Sequence, residues 1–132
     1  MIYLLDTHAF LWAAFSPGKL SSKVKSEIRS AENGVCVSTI TFWEISLKFA
    51  LGKIELSNCT PDHMPQIAEQ MGFEIIQPSA QETASFYQLP KVAHKDPFDR
   101  MIIWQAIQQQ LPLVSKDANF PEYKKFGLQV LW

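Results

Sequence analysis

The chain has 132 residues, 47% of them hydrophobic, which is enough for one compact domain spanning residues 1–132 with a real core and too little for a second. Lys and Arg number 12 against 13 Asp and Glu, a net charge of −1, so no overall positive field advertises a nucleic-acid ligand and any polyanion has to be held locally. Cys36 and Cys59 form no CxxC pair and have no histidine at zinc-site spacing, the apolar start is broken by Asp6 and His8, and no stretch approaches the roughly 20 apolar residues of a membrane span; a soluble, cytoplasmic protein with reduced thiols is expected.

Ile2 to Leu5 is a short apolar run of the kind a strand buried on both faces shows, and Asp6-Thr7 opens a helix through Ala9 to Ala14 that Ser16-Pro17-Gly18 ends. A second helix is expected from Ser22, with Val24, Ile28 and Ala31 on one face and Asn33-Gly34 as a left-handed cap. Val35 to Ser38 reads as a second strand. The next helix carries Ile40, Leu47 and Leu51 as its inward stripe and stops at Gly52; another spans Pro61 to Met71, with Met64, Ile67, Ala68 and Met71 inward. A third strand at Phe73 to Ile76 leads to Ser79 and Glu82, the capping box of a helix running towards Leu89-Pro90. A basic loop with Lys91, His94 and Lys95 precedes Asp96-Pro97, which starts a long helix through Ile107; strands at Leu113 to Ser115 and Leu128 to Leu131 complete the chain. Strands alternating with helices predict crossover connections, hence an α/β fold with a mostly parallel central sheet of four to five strands and helices on both faces.

In such a sheet ligands bind beyond the carboxyl ends of the strands, which makes four acids informative. Asp6 follows the first strand and Asp117 follows the fourth. Glu44 shares a helix face with Ile40, Leu47 and Leu51, and Asp99 precedes Ile102, Ile103 and Ala106 at helical spacing, so both point inward near that rim. Each also has a plainer reading: Thr41-x-x-Glu44 fits a capping box, Asp96-Pro97-Phe98-Asp99 fits a helix start, Asp6 fits a cap and Asp117 a turn. It is their convergence that favours a cation, since four carboxylates repel in a half-buried site. Oxygen-only ligation favours Mg²⁺ or Mn²⁺, as one ion or two, and in-line hydrolysis of phosphodiesters is the chemistry such sites perform.

Four segments in order, Leu4-Leu5-Asp6-Thr7-His8, Ser38-Thr39-Ile40-Thr41-Phe42-Trp43-Glu44-Ile45, His94-Lys95-Asp96-Pro97-Phe98-Asp99-Arg100 and Leu113-Val114-Ser115-Lys116-Asp117, make the chain resemble the PIN-domain nucleases, and within them the VapC-like toxins of bacterial toxin–antitoxin pairs. The resemblance implies an endoribonuclease in which Asp6, Glu44, Asp99 and Asp117 are the metal-binding acids, Asp6 and Asp99 directly and Glu44 and Asp117 through water. It also implies a cognate antitoxin, a homodimer, and transfer, ribosomal or messenger RNA as substrate. Asp96 is then an accessory acid or the helix cap, with the cap favoured.

Thr7, Ser38 and Ser115 lie where hydroxyls orient carboxylates or simply cap helices. Lys48, Arg100 and Lys116 are the candidate phosphate contacts, with Lys91 and Lys95 nearby, and His94, between basic residues, is expected to be a solvated surface residue. Trp12, Phe42, Trp43, Phe49 and Trp104 read as core or partner groove and not as a base-stacking platform. Two other classes compete. A phosphatase of the haloacid-dehalogenase type needs a second acid two residues after Asp6, where this chain has His8, and a receiver domain needs adjacent acids that are missing; a non-catalytic binding module would have no need of all four acids.

Overall fold

A computed structural model describes residues 1–132. Five strands, β1 (Ile2–Leu5), β2 (Gly34–Ser38), β3 (Glu74–Ile76), β4 (Leu113–Val114) and β5 (Val130–Leu131), form one sheet in the order β3-β2-β1-β4-β5, with every neighbouring pair parallel. Six α-helices connect them: α1 (Thr7–Phe15), α2 (Ser22–Arg29), α3 (Thr39–Ala50), α4 (Met64–Gln70), α5 (Ala80–Ser85) and α6 (Pro97–Gln109). No helix is long and apolar enough to cross a membrane.

Side-chain alternation along the strands divides the interior into two layers. Tyr3 and Leu5 of β1, Val35 and Val37 of β2 and Val114 of β4 face a core completed by Phe10 of α1, Val24 of α2, Ile45 of α3 and Met64 and Ala68 of α4. Leu4, Cys36 and Leu113 face the opposite layer, where Ile102, Ile103, Trp104 and Ala106 of α6 pack with Phe120 and Tyr123. Because both faces are covered, these strands are apolar throughout, which is why they were readable as short unbroken runs. The chain builds β2 and β3 on one side of β1 and then returns to place β4 on the other. The crevice where the order reverses lies between the ends of β1 and β4, the positions that Asp6 and Asp117 follow.

Several expectations require correction. Helix α2 ends at Arg29 with Ser30 in an extended cap conformation, and neither Asn33 nor Gly34 has positive φ. The Asn33 amide instead donates to the Glu27 carbonyl at 2.9 Å and its carboxylate at 2.8 Å, freeing Gly34 to start β2, and Ala31 is exposed outside the helix. On α3 the buried face is Thr41, Glu44 and Ile45, whereas Leu47 and Leu51 are 41% and 60% exposed; Met71, just past α4, is also exposed. The last strand is only Val130–Leu131, because Phe120–Phe126 forms a 3-10 helix that Gly127 closes at φ 104°.

Candidate active site

Asp6 is buried and caps α1: its Oδ1 accepts from the Ala9 N–H at 2.8 Å. Burial pushes its carboxyl up to about 6, and Asp117 adds to the rise, against the lowering effects of the Ser115 hydroxyl, the Ala9 N–H and His8. Two hydrogen bonds and one nearby imidazole thus favour the carboxylate, but desolvation of the anion prevails.

Glu44 is 2% exposed and has both oxygens engaged. Thr7 donates to Oε1 at 2.6 Å, Thr7 and Thr41 hydroxyls are 3.1 Å apart, and the Lys48 ammonium one turn along α3 pairs with Oε2. Burial works against the Lys48 charge, yet the hydrogen bond and charge of Glu44, with Asp96 and Asp99, raise its pKa overall. Lys48 is therefore a resident counter-ion of the acidic cluster.

Asp99 lies at the centre of the acids. Its backbone N–H donates to Asp96 Oδ1 at 2.8 Å, so Asp96 is the cap of α6 and the Asp99 side chain is free for the crevice. Burial, followed by Asp96, Glu44, Asp6 and Asp117 in decreasing order, pushes its carboxyl up to about 8. Two sets of donor atoms share it: Glu44, Asp96 and Asp99, and His94, Asp99 and Asp117, the atoms of each set lying within 4.8 Å of one another. Asp117 Oδ1 accepts from the Asn119 backbone at 2.8 Å and side chain at 3.1 Å, and its own N–H donates to Ser115 Oγ at 3.1 Å. Carboxylates that resist ionising together, with oxygens converging from α3, α6 and the loop after β4, fit a hard divalent cation; Asp6 is coupled to Asp99 by charge but belongs to neither donor set.

Thr7 and Ser115 thus touch carboxylates, whereas Ser38 accepts from the Ile40 N–H and caps α3. Lys116 is exposed and lines, with Asp6, His8, Trp12 and Asp117, a cavity of about 310 Å³. Arg100 is not a free cation. It donates to the Leu89 and Pro90 carbonyls at 3.2–3.3 Å and to the Tyr123 hydroxyl at 3.0 Å, with Phe86 and Tyr123 rings under its guanidinium. Lys91 and Lys95, which line a neighbouring cavity of about 500 Å³ with Val92, His94 and Arg100, are the exposed cations on that side.

His94 also departs from expectation. Its side chain is only 8% exposed, with Nε2 3.1 Å from Asp99 Oδ2 and Nδ1 3.0 Å from the Tyr123 hydroxyl. Trp104 is buried and donates to the Glu82 carbonyl at 3.0 Å, whereas Trp43 is 61% exposed and meets Phe98 edge-on.

A parallel α/β sheet with carboxylates gathered at its switch point defines a class of crevice suited to phosphate chemistry. The PIN-domain family model matches residues 3–126, and the chain belongs to that family. It is 30% identical to Ribonuclease VapC22 of Mycobacterium tuberculosis over 129 residues, covering 98% of this chain and 97% of the relative. Among solved structures it is similar to VapBC2 from Rickettsia felis, crystallised with a promoter DNA fragment (TM-score 0.69, 20% identity, 99% and 98% of the two chains). It is also similar to FitAcB from Neisseria gonorrhoeae (TM-score 0.66, 23% identity, 100% and 97%).

Proposed function

We propose that this protein is a divalent-cation-dependent endoribonuclease using Mg²⁺ or Mn²⁺, as one ion or two, and that it acts as the toxin of a toxin–antitoxin pair. The observation that carries the reading is the convergence on Asp99 of two sets of donor atoms, each within 4.8 Å, in a half-buried crevice where burial and the neighbouring acids raise its pKa. The ribonuclease name of the Mycobacterium tuberculosis relative supports the substrate class. Asp6 and Asp99 would hold the cation directly, with Glu44 and Asp117, each within a donor set that includes Asp99, acting through water. A cation held there would supply Lewis acidity towards a phosphoryl oxygen and make a water molecule easier to deprotonate. The chain's own residues do the rest: Thr7 fixes Glu44, the Ser115 hydroxyl and the Ala9 N–H fix Asp6, and Lys116, Lys91 and Lys95 offer ammonium groups to flanking phosphates.

The antitoxin rests on the similar VapBC structures, one of them named as a member of a toxin–antitoxin family, and both it and a homodimer would be served by the uncovered apolar stripe of Trp43, Leu47 and Leu51 on α3. An amphipathic partner helix is the ligand such a stripe fits. Purified protein incubated with a mixed RNA pool tests the catalytic reading. Cleavage that requires Mg²⁺ or Mn²⁺, stops with chelator and is lost in Asp6→Asn is expected. RNA binding without cleavage would make the domain a binding module, and hydrolysis of phosphate monoesters alone would make it a phosphatase. A short protein encoded beside it that co-purifies and inhibits is the expected antitoxin; harmless overexpression without such a neighbour would remove the toxin role.

A further inference from the structure

Asp99, the acid on which the others converge, receives one side-chain hydrogen bond, and it comes from His94. The Lys48 ammonium offsets part of the like charge around that carboxylate from a distance, but only the His94 hydrogen bond fixes its direction. The histidine is itself held from behind. Tyr123, fully buried in the 3-10 helix, places its hydroxyl on Nδ1, Phe120 and Tyr123 flank the imidazole at centroid distances of 5.9 and 5.8 Å, and Arg100 donates to the same hydroxyl at 3.0 Å.

Proton positions follow from what each group is able to do. Arg100 only donates, so the Tyr123 oxygen accepts from it. The single Tyr123 hydrogen then goes to His94 Nδ1 at 3.0 Å or to the His94 carbonyl at 3.4 Å. In the first case a neutral ring carries its hydrogen on Nε2. In the second, Nδ1 donates to Tyr123, and an ionised Asp99 tolerates Nε2 only if that nitrogen is protonated too. With Asp99 ionised, the state it would take beside a cation, both arrangements put an Nε2–H on Asp99 Oδ2, and both leave the other carboxylate oxygen free.

We infer that His94, backed by Tyr123 and Arg100, is the positioning residue that aims Asp99 at the cation, and is not itself a ligand. The inference rests on the metal-nuclease reading. A carboxylate ligand steered by an outer hydrogen-bond donor loses about 10–100-fold in metal affinity when that donor is removed. His94→Ala is expected to weaken Mn²⁺ binding by that factor and to lower kcat while KM for RNA stays near the parent value. His94→Gln, whose amide nitrogen reaches the Nε2 position, recovers most of the affinity. Tyr123→Phe keeps the packed ring and weakens Mn²⁺ by a smaller factor.

Calorimetric Mn²⁺ titration and the Mn²⁺ spin-resonance spectrum of the full chain, with circular dichroism to verify folding, decide the matter. Affinities of His94→Ala and Tyr123→Phe within twofold of the parent overturn the positioning role while leaving the nuclease standing. Nitrogen coupling to bound Mn²⁺ in the parent overturns it in favour of direct ligation by His94. If His94→Ala fails to fold, His94→Gln and Tyr123→Phe carry the comparison alone. A parent protein that binds no Mn²⁺ overturns both readings.

Discussion

Asp6 and Asp99 are placed by different local devices, and those devices determine what their substitution does. Asp6 doubles as the α1 cap, a role Asn fills equally well, and Asp99 is relieved of capping by Asp96. Asp6→Asn and Asp99→Asn should therefore fold, with a cation-free melting temperature equal to or above the parent's because repulsion is relieved. Cleavage should fall by roughly 100-fold or more, since the charge stabilisation a cation provides is worth several kcal/mol. A melting temperature well below the parent's for Asp99→Asn would show that its role is structural.

The same two acids set a pH dependence. Their folded pKa values, about 6 and about 8, exceed the ordinary 3.8, so the folded cation-free protein holds more protons than the unfolded chain across that window. Stability then falls as pH rises through about 6 and about 8, because each deprotonation is easier in the unfolded chain. Thermal unfolding in chelator should show the melting temperature declining from about pH 5 to pH 8.5, Mn²⁺ should flatten the decline, and Asp99→Asn should remove its upper part. A cation-free melting temperature that climbs over this range would contradict the picture of crowded, reluctant carboxylates.

Among the elements, α6 offers the clearest separation of structure from chemistry, because Asp96 is both its cap and one of the donor atoms grouped with Glu44 and Asp99. Asp96→Ala should cost about 1 kcal/mol of stability, and Asp96→Ser should restore it by capping with a hydroxyl. If capping is its whole contribution, Asp96→Ser cleaves RNA like the parent; a loss of activity in a fully stable Asp96→Ser protein would make Asp96 a member of the site. Elements with local signals were legible in the sequence: the Ser79/Glu82 box appears with both of its hydrogen bonds, and Gly52 ends α3 with φ 73°. Helix α3 was misread because its buried stripe is polar, built of Thr41 and Glu44 to serve the crevice, while its apolar stripe faces outward. His94 was misread for a related reason. Its partner Tyr123 lies 29 residues away, in a 3-10 segment without helical periodicity, and flanking basic residues imitate a solvated loop. The four acids were legible because strand ends and helix starts carry them to one rim; the counter-ion Lys48 and the commitment of Arg100 depend on side-chain packing, which spacing does not encode.

At the scale of the whole molecule, a net charge of −1 has to be reconciled with a polyanionic substrate. Lys48 is paired with Glu44 and Arg100 is tied to main-chain carbonyls, which leaves Lys91, Lys95 and Lys116 as the exposed cations beside the crevice. If these three and the cation hold the RNA, few counter-ions are released on binding. With about −0.7 in log–log slope for each neutralised phosphate of a single strand, the salt dependence should be near −2, and it should shrink by roughly 0.7 for each lysine replaced by alanine. Fluorescence anisotropy with a short single-stranded RNA, in Ca²⁺ whose loose coordination retards the chemistry, reads this slope. Added chelator should abolish most of the remaining affinity. Binding that ignores chelator and keeps its slope when the three lysines are replaced would place the RNA elsewhere, the face of α2 with Lys25 and Arg29 being the alternative surface, and replacing those two residues would then remove binding that substitutions at the crevice leave intact.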